Sequence, residues 1–349
     1  EVSNGSFSQE GVQLITNGDF SSDTDWNKET GWTITGGNLV ATSVSGTAAY
    51  QVGTGIVSGK TYKVQFEITE YTAGAVGLRA GTGSTLQTFN SIGVHSAYMV
   101  ASGALQVRFD VSGTTTLKID NVSCVEVAQD WTLGTGWSIG EDKAIHTGST
   151  GNIITNASLF LNKNYKVQFE ILSIADGVCN IYDTGTSTTY ESYTSNGIKT
   201  AYIKKDSNGS LAIRSNSSNV SITNISVKEV GQNWDLATNW SIAENKAVSD
   251  GASGNLSQPT ILTVGKSYNI TITVSNYISG TVEVSAGAAP RGEITANGTY
   301  TFQQVATPTT TFYIISQSFI GSVTNISVIE ITDDTNLPRI NYEGFSYQD

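Results

Sequence analysis

All six tryptophans fall into three pairs with one internal spacing: Trp26 and Trp32, Trp131 and Trp137, Trp234 and Trp240. Downstream of each pair comes a stretch of one pattern, Tyr62–Ile68, Tyr165–Ile171 and Tyr268–Val274, and its tyrosines stand 103 residues apart. A third block closes each copy, at Asp120–Val127, Thr223–Val230 and Thr324–Ile331. A period near 100 residues is far longer than the roughly 20–50 residues of a solenoid or propeller repeat, and it is long enough for each copy to bury a core of its own. The chain is therefore read as a 1–12 N-terminal connector, three repeats at 13–127, 128–231 and 232–331, and a 332–349 C-terminal connector.

Within a repeat the apolar residues alternate. Tyr62, Val64, Phe66 and Ile68 share one face of an extended strand, and Lys63, Gln65 and Glu67 take the other. Period-two alternation marks a strand with one face buried. Turn signals such as Gly36-Gly37, Ser58-Gly59 and Ser102-Gly103 break the chain every 8–12 residues or so. No window carries a sustained helical period. About eight short strands per copy predict an all-β protein of three tandem jelly-roll β-sandwich domains of about 103 residues each. Because Val127 runs into Trp131 with almost no linker, the arrangement expected is stiff and rod-like.

Charge narrows the partners. The net charge is −12 with only 14% charged residues, a balance that repels phosphate backbones and argues against nucleic acid. No apolar run approaches the length needed to cross a bilayer, so no membrane insertion is expected. A chain that opens on Glu1 reads as a piece of something longer.

Chemistry-bearing residues are sparse. Cys124 aligns with Val227 and Val328, and Cys179 with Val76 and Val282, so both are expected to be buried, unpaired thiols in valine positions. His95 and His146 have no His or Cys at metal-ligand spacing and do not recur between repeats. No Walker loop, dinucleotide fingerprint or nucleophile elbow is present. No catalytic residue is assigned, and the chain is expected not to be an enzyme.

Three sets of candidate residues remain. The paired tryptophans, Trp26, Trp32, Trp131, Trp137, Trp234 and Trp240, recur in one local context, which favours structural core positions. Exposed indoles that stack on sugar rings are the alternative. The stretch Tyr182–Tyr193 of the second repeat differs from its siblings, and variable loops on a fixed scaffold commonly carry recognition. Tyr182, Tyr190 and Tyr193 would offer flat apolar faces there, with Asp183 and Glu191 accepting from hydroxyls. Asp19 and Asp120 lie in the opening and closing stretches of the first repeat, which are expected to meet. Two carboxylates with nearby carbonyls suit Ca²⁺, so a structural calcium is expected in the first repeat alone, with no other cofactor.

The run Asn17-Gly18-Asp19-Phe20, Asp25-Trp26, Trp32-Thr33-Ile34, then Tyr62–Phe66, then Ile119–Ser123 resembles carbohydrate-binding-module-like (galactose-binding-like) jelly-roll repeats. It looks most like those of bacteriophage tail-fibre and other virion structural proteins. The resemblance spans 13–331, and Thr335–Gly344 looks like the connector that follows such domains. It implies a non-enzymatic virion structural or fibre arm at the virion surface, acting as spacer and in attachment to host-surface glycans. Partners would be other virion proteins and host cell-surface polysaccharide, with a homotrimer as the implied assembly. The second reading is the carbohydrate-binding region of a secreted or cell-surface bacterial enzyme or adhesin. Repeats two and three lack the Asn-Gly-Asp-Phe run, and carry threonine, Thr223 and Thr324, where the first has Asp120.

Overall fold

The computed structural model describes residues 2–332 except 85, 112, 156–158, 217 and 288–291. Every regular element among them is a strand. The alternation carries directly into packing: Tyr62, Val64, Phe66 and Ile68 are fully buried, while Lys63, Gln65 and Glu67 on the opposite face are half-buried.

In the first repeat one sheet runs in the order Trp32–Thr35, Asn38–Val44, Thr115–Val127, Thr61–Ala73, Gly93–Val100. The facing sheet runs Asn27–Lys28, Ala48–Val52, Gln106–Val111, Val76–Ala80, Gln87–Phe89. Eight core strands extend in chain order from Asn38–Val44 to Thr115–Val127. The first pairs with the eighth, the eighth with the third, and the third with the sixth. The second pairs with the seventh, the seventh with the fourth, and the fourth with the fifth. That is the jelly-roll order. Leu39, Phe66 and Ile119 from one sheet meet Leu78, Val107 and Phe109 from the other in a single core.

The second repeat uses the same order, with sheets centred on Val220–Val230 with Asn164–Ile174, and on Leu211–Asn216 with Val178–Asp183. The third repeat joins its two faces into one eight-stranded sheet. Ser267–Ser285 and Phe312–Glu330 each serve as two strands, so their ladder continues through the bend that interrupts it in the other copies. The bend itself is retained. Tyr71 Oη donates to the Gly74 carbonyl at 2.9 Å, and Tyr277 Oη to the Gly280 carbonyl at 3.0 Å. Gly280 has φ +77°, and a Cβ there would collide with the Ser318 carbonyl, so only glycine lets the strands cross so closely.

By internal packing the chain divides into two compact units. One comprises Glu1–Leu161, Val167–Ala201 and Asp206–Lys228; the other comprises Asn162–Lys166, Tyr202–Lys205 and the chain from Glu229 on. The core of the second unit gathers Trp240, Ile270, Val284, Phe312 and Phe319. The N-terminal stretch, expected as a connector, is folded in: Glu10–Gln13 pairs with Thr115–Val127, and Phe7 is buried. The C-terminal connector lies outside the described residues from 333 onward.

Candidate functional site

The leading tryptophans of the first two repeats are sealed in the same way. The closing strand of the first repeat carries a bulge. Its register with Thr61–Ala73 passes from Asp120 opposite Glu67 to Ser123 opposite Gln65, and Asn121 adopts φ +52°. The bulge frees the Val122 N–H from the ladder, and it donates instead to the Gly18 carbonyl at 2.8 Å. Trp26 Nε1 donates to the Asn17 carbonyl at 3.2 Å, and the Phe20 ring packs 5.3 Å from that indole.

In the second repeat Asn224 has φ +55° and the Ile225 N–H donates to the Gly5 carbonyl at 2.9 Å. Trp131 Nε1 donates to the Asn4 carbonyl at 3.0 Å, and Phe7 lies 5.1 Å from the Trp131 ring. Thr223 Oγ1 reaches the Ser6 carbonyl at 3.4 Å and the Asp142 carbonyl at 2.8 Å. Asn4-Gly5-Ser6-Phe7 is thus the second repeat's counterpart of Asn17-Gly18-Asp19-Phe20. The apparent lack of this run in the second repeat is corrected: the run stands at the other end of the first repeat in sequence. Burying each phenylalanine contributes about 1.5–3 kcal/mol, and each aromatic pair about 0.5–1.5 kcal/mol more.

Trp26, Trp32, Trp131, Trp137 and Trp240 are buried, while Trp234 is half-buried. Trp137 Nε1 and Trp240 Nε1 donate to the Gly151 and Gly254 carbonyls at 3.0 and 3.1 Å. The five buried indoles therefore present no open face for a sugar ring.

The Tyr182–Tyr193 stretch forms a hairpin of Val178–Asp183 and Thr188–Tyr193, the latter at the edge of its sheet. Asp183 is corrected as a ligand acceptor, because its carboxylate is fully buried and already engaged. It accepts from the Gly185 and Thr186 N–H groups at 2.7 and 3.2 Å, and from Ser207 Oγ at 2.5 Å. A buried charge satisfied by several donors holds a turn together rather than greeting solvent. Tyr182 is also buried, with the Arg214 guanidinium 4.4 Å above its ring. Glu191 is exposed, and Tyr190 and Tyr193 are half-buried.

Tyr190 Oη lies 3.3 Å from Asp183 Oδ2 and 3.2 Å from Asp206 Oδ1. Burial foremost, then the charges of Asp183 and Asp206, push its phenol well above the usual tyrosine value. Burial, with Glu191 and Cys179, raises Tyr193 to about 12. Both phenols are thus held as neutral hydrogen-bonding groups at physiological pH.

The stretches carrying Asp19 and Asp120 do meet, through the Gly18–Val122 hydrogen bond. Each carboxylate serves a local turn: Asp19 Oδ1 accepts from the Ser21 N–H and hydroxyl at 3.3 and 3.1 Å, and Asp120 Oδ1 from the Asn121 N–H at 2.7 Å. Among the described residues no group of three or more His, Cys, Asp or Glu comes together in a way that would hold a metal ion. Cys124 and Cys179 are free, buried thiols, and burial raises both to about 12. His146 is buried, its Nδ1 2.6 Å from the Ser218 carbonyl.

No family model matches the chain. No curated protein matches it. Among solved structures, one described as the triple jelly roll fold and turret assembly in an archaeal virus is similar at 10% identity, covering 88% of this chain and 89% of that one, with a TM-score of 0.24. A second, the atomic structure of Sulfolobus Turreted Icosahedral Virus, shares 10% identity over 88% of this chain and 90% of that one, with a TM-score of 0.22. At such TM-scores the likeness bears on neither topology nor role, and the jelly-roll assignment rests on the strand order itself.

Proposed function

We propose that the chain is a non-enzymatic virion structural protein, a fibre or surface arm in which repeated jelly rolls act as spacers. The observation that carries this reading is the path of residues 4–13. Asn4–Phe7 is built into the second repeat under Trp131, while Glu10–Gln13 is a strand on the first repeat's closing strand. Lys63 Nζ adds an ion pair to Glu10 at 2.6 Å. One short segment therefore ties two successive repeats, and bending between them requires drawing a buried phenylalanine out of its site. Resistance to bending suits a spacer and gives a catalyst nothing. The proposed partners are other virion proteins, with the virion surface as location.

Contact with host polysaccharide is the second reading, supported by the edge strand Thr188–Tyr193. Its Glu191 is exposed, its Tyr190 and Tyr193 rings are partly accessible, and Lys199 Nζ stands 5.7 Å from the Tyr193 ring. An open edge of this kind would bind weakly per site and depend on many copies.

The structural reading is tested on purified particles by quantitative mass spectrometry and immunogold microscopy. It expects a fixed copy number per particle and label on projections. Recovery of the chain only in the secreted, particle-free fraction overturns it.

A further inference from the structure

The third repeat has every part of the tryptophan seat except the segment that fills it. Trp234 stands where Trp26 and Trp131 stand, and Asn325 repeats the bulge with φ +48°. The ladder again skips a step, from Thr324 opposite Thr273 to Ser327 opposite Thr271, with Ile326 between. Thr324 Oγ1 donates to the Asn245 carbonyl at 3.2 Å, as Thr223 does to that of Asp142. Yet Trp234 and Ile326 are half-buried, whereas Trp131 and Ile225 are 6% and 5% exposed. No hydrogen-bond partner is found for Trp234 Nε1 among the described residues. A groove of about 450 Å³ opens here, lined by Gly231, Trp234, Ile242, Asn245, Thr324 and Ile326 among others, a size that holds small ligands or short peptide segments.

We infer that this groove is a docking site for an Asn-Gly-x-Phe segment carried by a partner polypeptide. The two filled seats specify that chemistry residue by residue. The indole N–H takes the asparagine carbonyl, and the bulge N–H takes the glycine carbonyl. A Cβ on the glycine would collide with the carbonyl of the bulge residue, Val122 in one seat and Ile225 in the other. The phenylalanine ring covers the indole, and both phenylalanines end up 2% exposed or less. The segment need not be a sequence neighbour of its seat: Asn4 and Trp131 are 127 residues apart in the chain. Both Asn-Gly-x-Phe segments among the described residues are already seated, so the third seat awaits one from elsewhere. This docking site holds whether or not the chain belongs to a virion.

The test uses the full chain, labelled with ¹⁵N in its indoles, and a synthetic peptide with the sequence of residues 2–9. The Trp234 indole signal is assigned with Trp234→Phe. The peptide is expected to shift that signal saturably, and a peptide with alanine for glycine or for phenylalanine to bind about ten-fold more weakly or worse. Ile326→Glu, which puts a charge on the groove wall, is expected to abolish the shift while the other five indole signals stay in place. The inference is overturned by the absence of a shift up to millimolar peptide, by equal binding of the alanine-for-glycine peptide, or by a response at Trp131 in place of Trp234. A Trp234 signal that moves with protein concentration alone assigns the seat to a second copy of this chain and overturns the partner as well.

Discussion

The ring of Phe7 packs 5.1 Å from that of Trp131, and the backbone just before it accepts the indole hydrogen bond at 3.0 Å. The beginning of the chain therefore completes the core of the second repeat, while the first repeat is completed by Phe20 against Trp26. With each phenylalanine seated under its own tryptophan, mutation can address the two seats one at a time.

Phe7→Ala is expected to destabilise the second repeat by about 3–5 kcal/mol, because a nearly fully buried aromatic leaves a cavity. Amide hydrogen exchange reads the location: protection falls at Ile225 and is kept at Val122. Equal loss at both positions would show that the two seats do not act separately.

Gly5→Ala attacks the same seat without touching the ring. The added methyl runs into the Ile225 carbonyl, and overpacking of this kind costs about 1–3 kcal/mol. Denaturant titration followed by Trp131 fluorescence should show an early transition. An unchanged midpoint would mean that the segment approaches its bulge less closely than described.

Asp183→Asn removes the charge from a buried acceptor that takes hydrogen bonds from Gly185 and Thr186 in its own hairpin and from Ser207 outside it. Loss of these charge-assisted bonds is expected to cost about 2–4 kcal/mol. Its effect should be on thermal unfolding and not on sugar binding. On a glycan array of the multivalent assembly, Tyr190→Ala and Tyr193→Ala are the variants expected to lose any signal. A wild-type signal that both retain removes the edge strand from consideration.

Stability is expected to fall as pH rises from about 9 to 12. Cys124 and Cys179 ionise near 9.0 when exposed and near 12 when folded, and Tyr193 moves from 10.0 to about 12. Below 9 both states hold these protons and the contribution is fully present. Above 9 the unfolded chain releases them first, so unfolding gains until the folded groups titrate too. Urea midpoints taken in reductant at increasing pH check this, and Cys124→Val with Cys179→Val, the residue of the sibling positions, should flatten the slope. A midpoint that rises with pH contradicts it.

The repeat, the strands and the jelly-roll class were legible in the sequence because each depends on spacing over a few residues. Alternation at Tyr62–Ile68 dictates a buried face whatever lies beyond it. The exchange of Asn4–Phe7 was not legible in this way. The signal was present, since Asn4-Gly5-Ser6-Phe7 repeats Asn17-Gly18-Asp19-Phe20, but no local pattern says which tryptophan a loop will cover. Tertiary structure decides that, because the segment gains its burial and hydrogen bonds only where an indole, a bulge and a carbonyl converge from three separate stretches of chain. Asp183 illustrates the same limit. Its position in an aromatic-rich loop suggested a surface acceptor. Gly185 and Thr186 reach it through a local turn, but only the fold buries it and brings Ser207 against it, where a buried carboxylate must satisfy its charge from within.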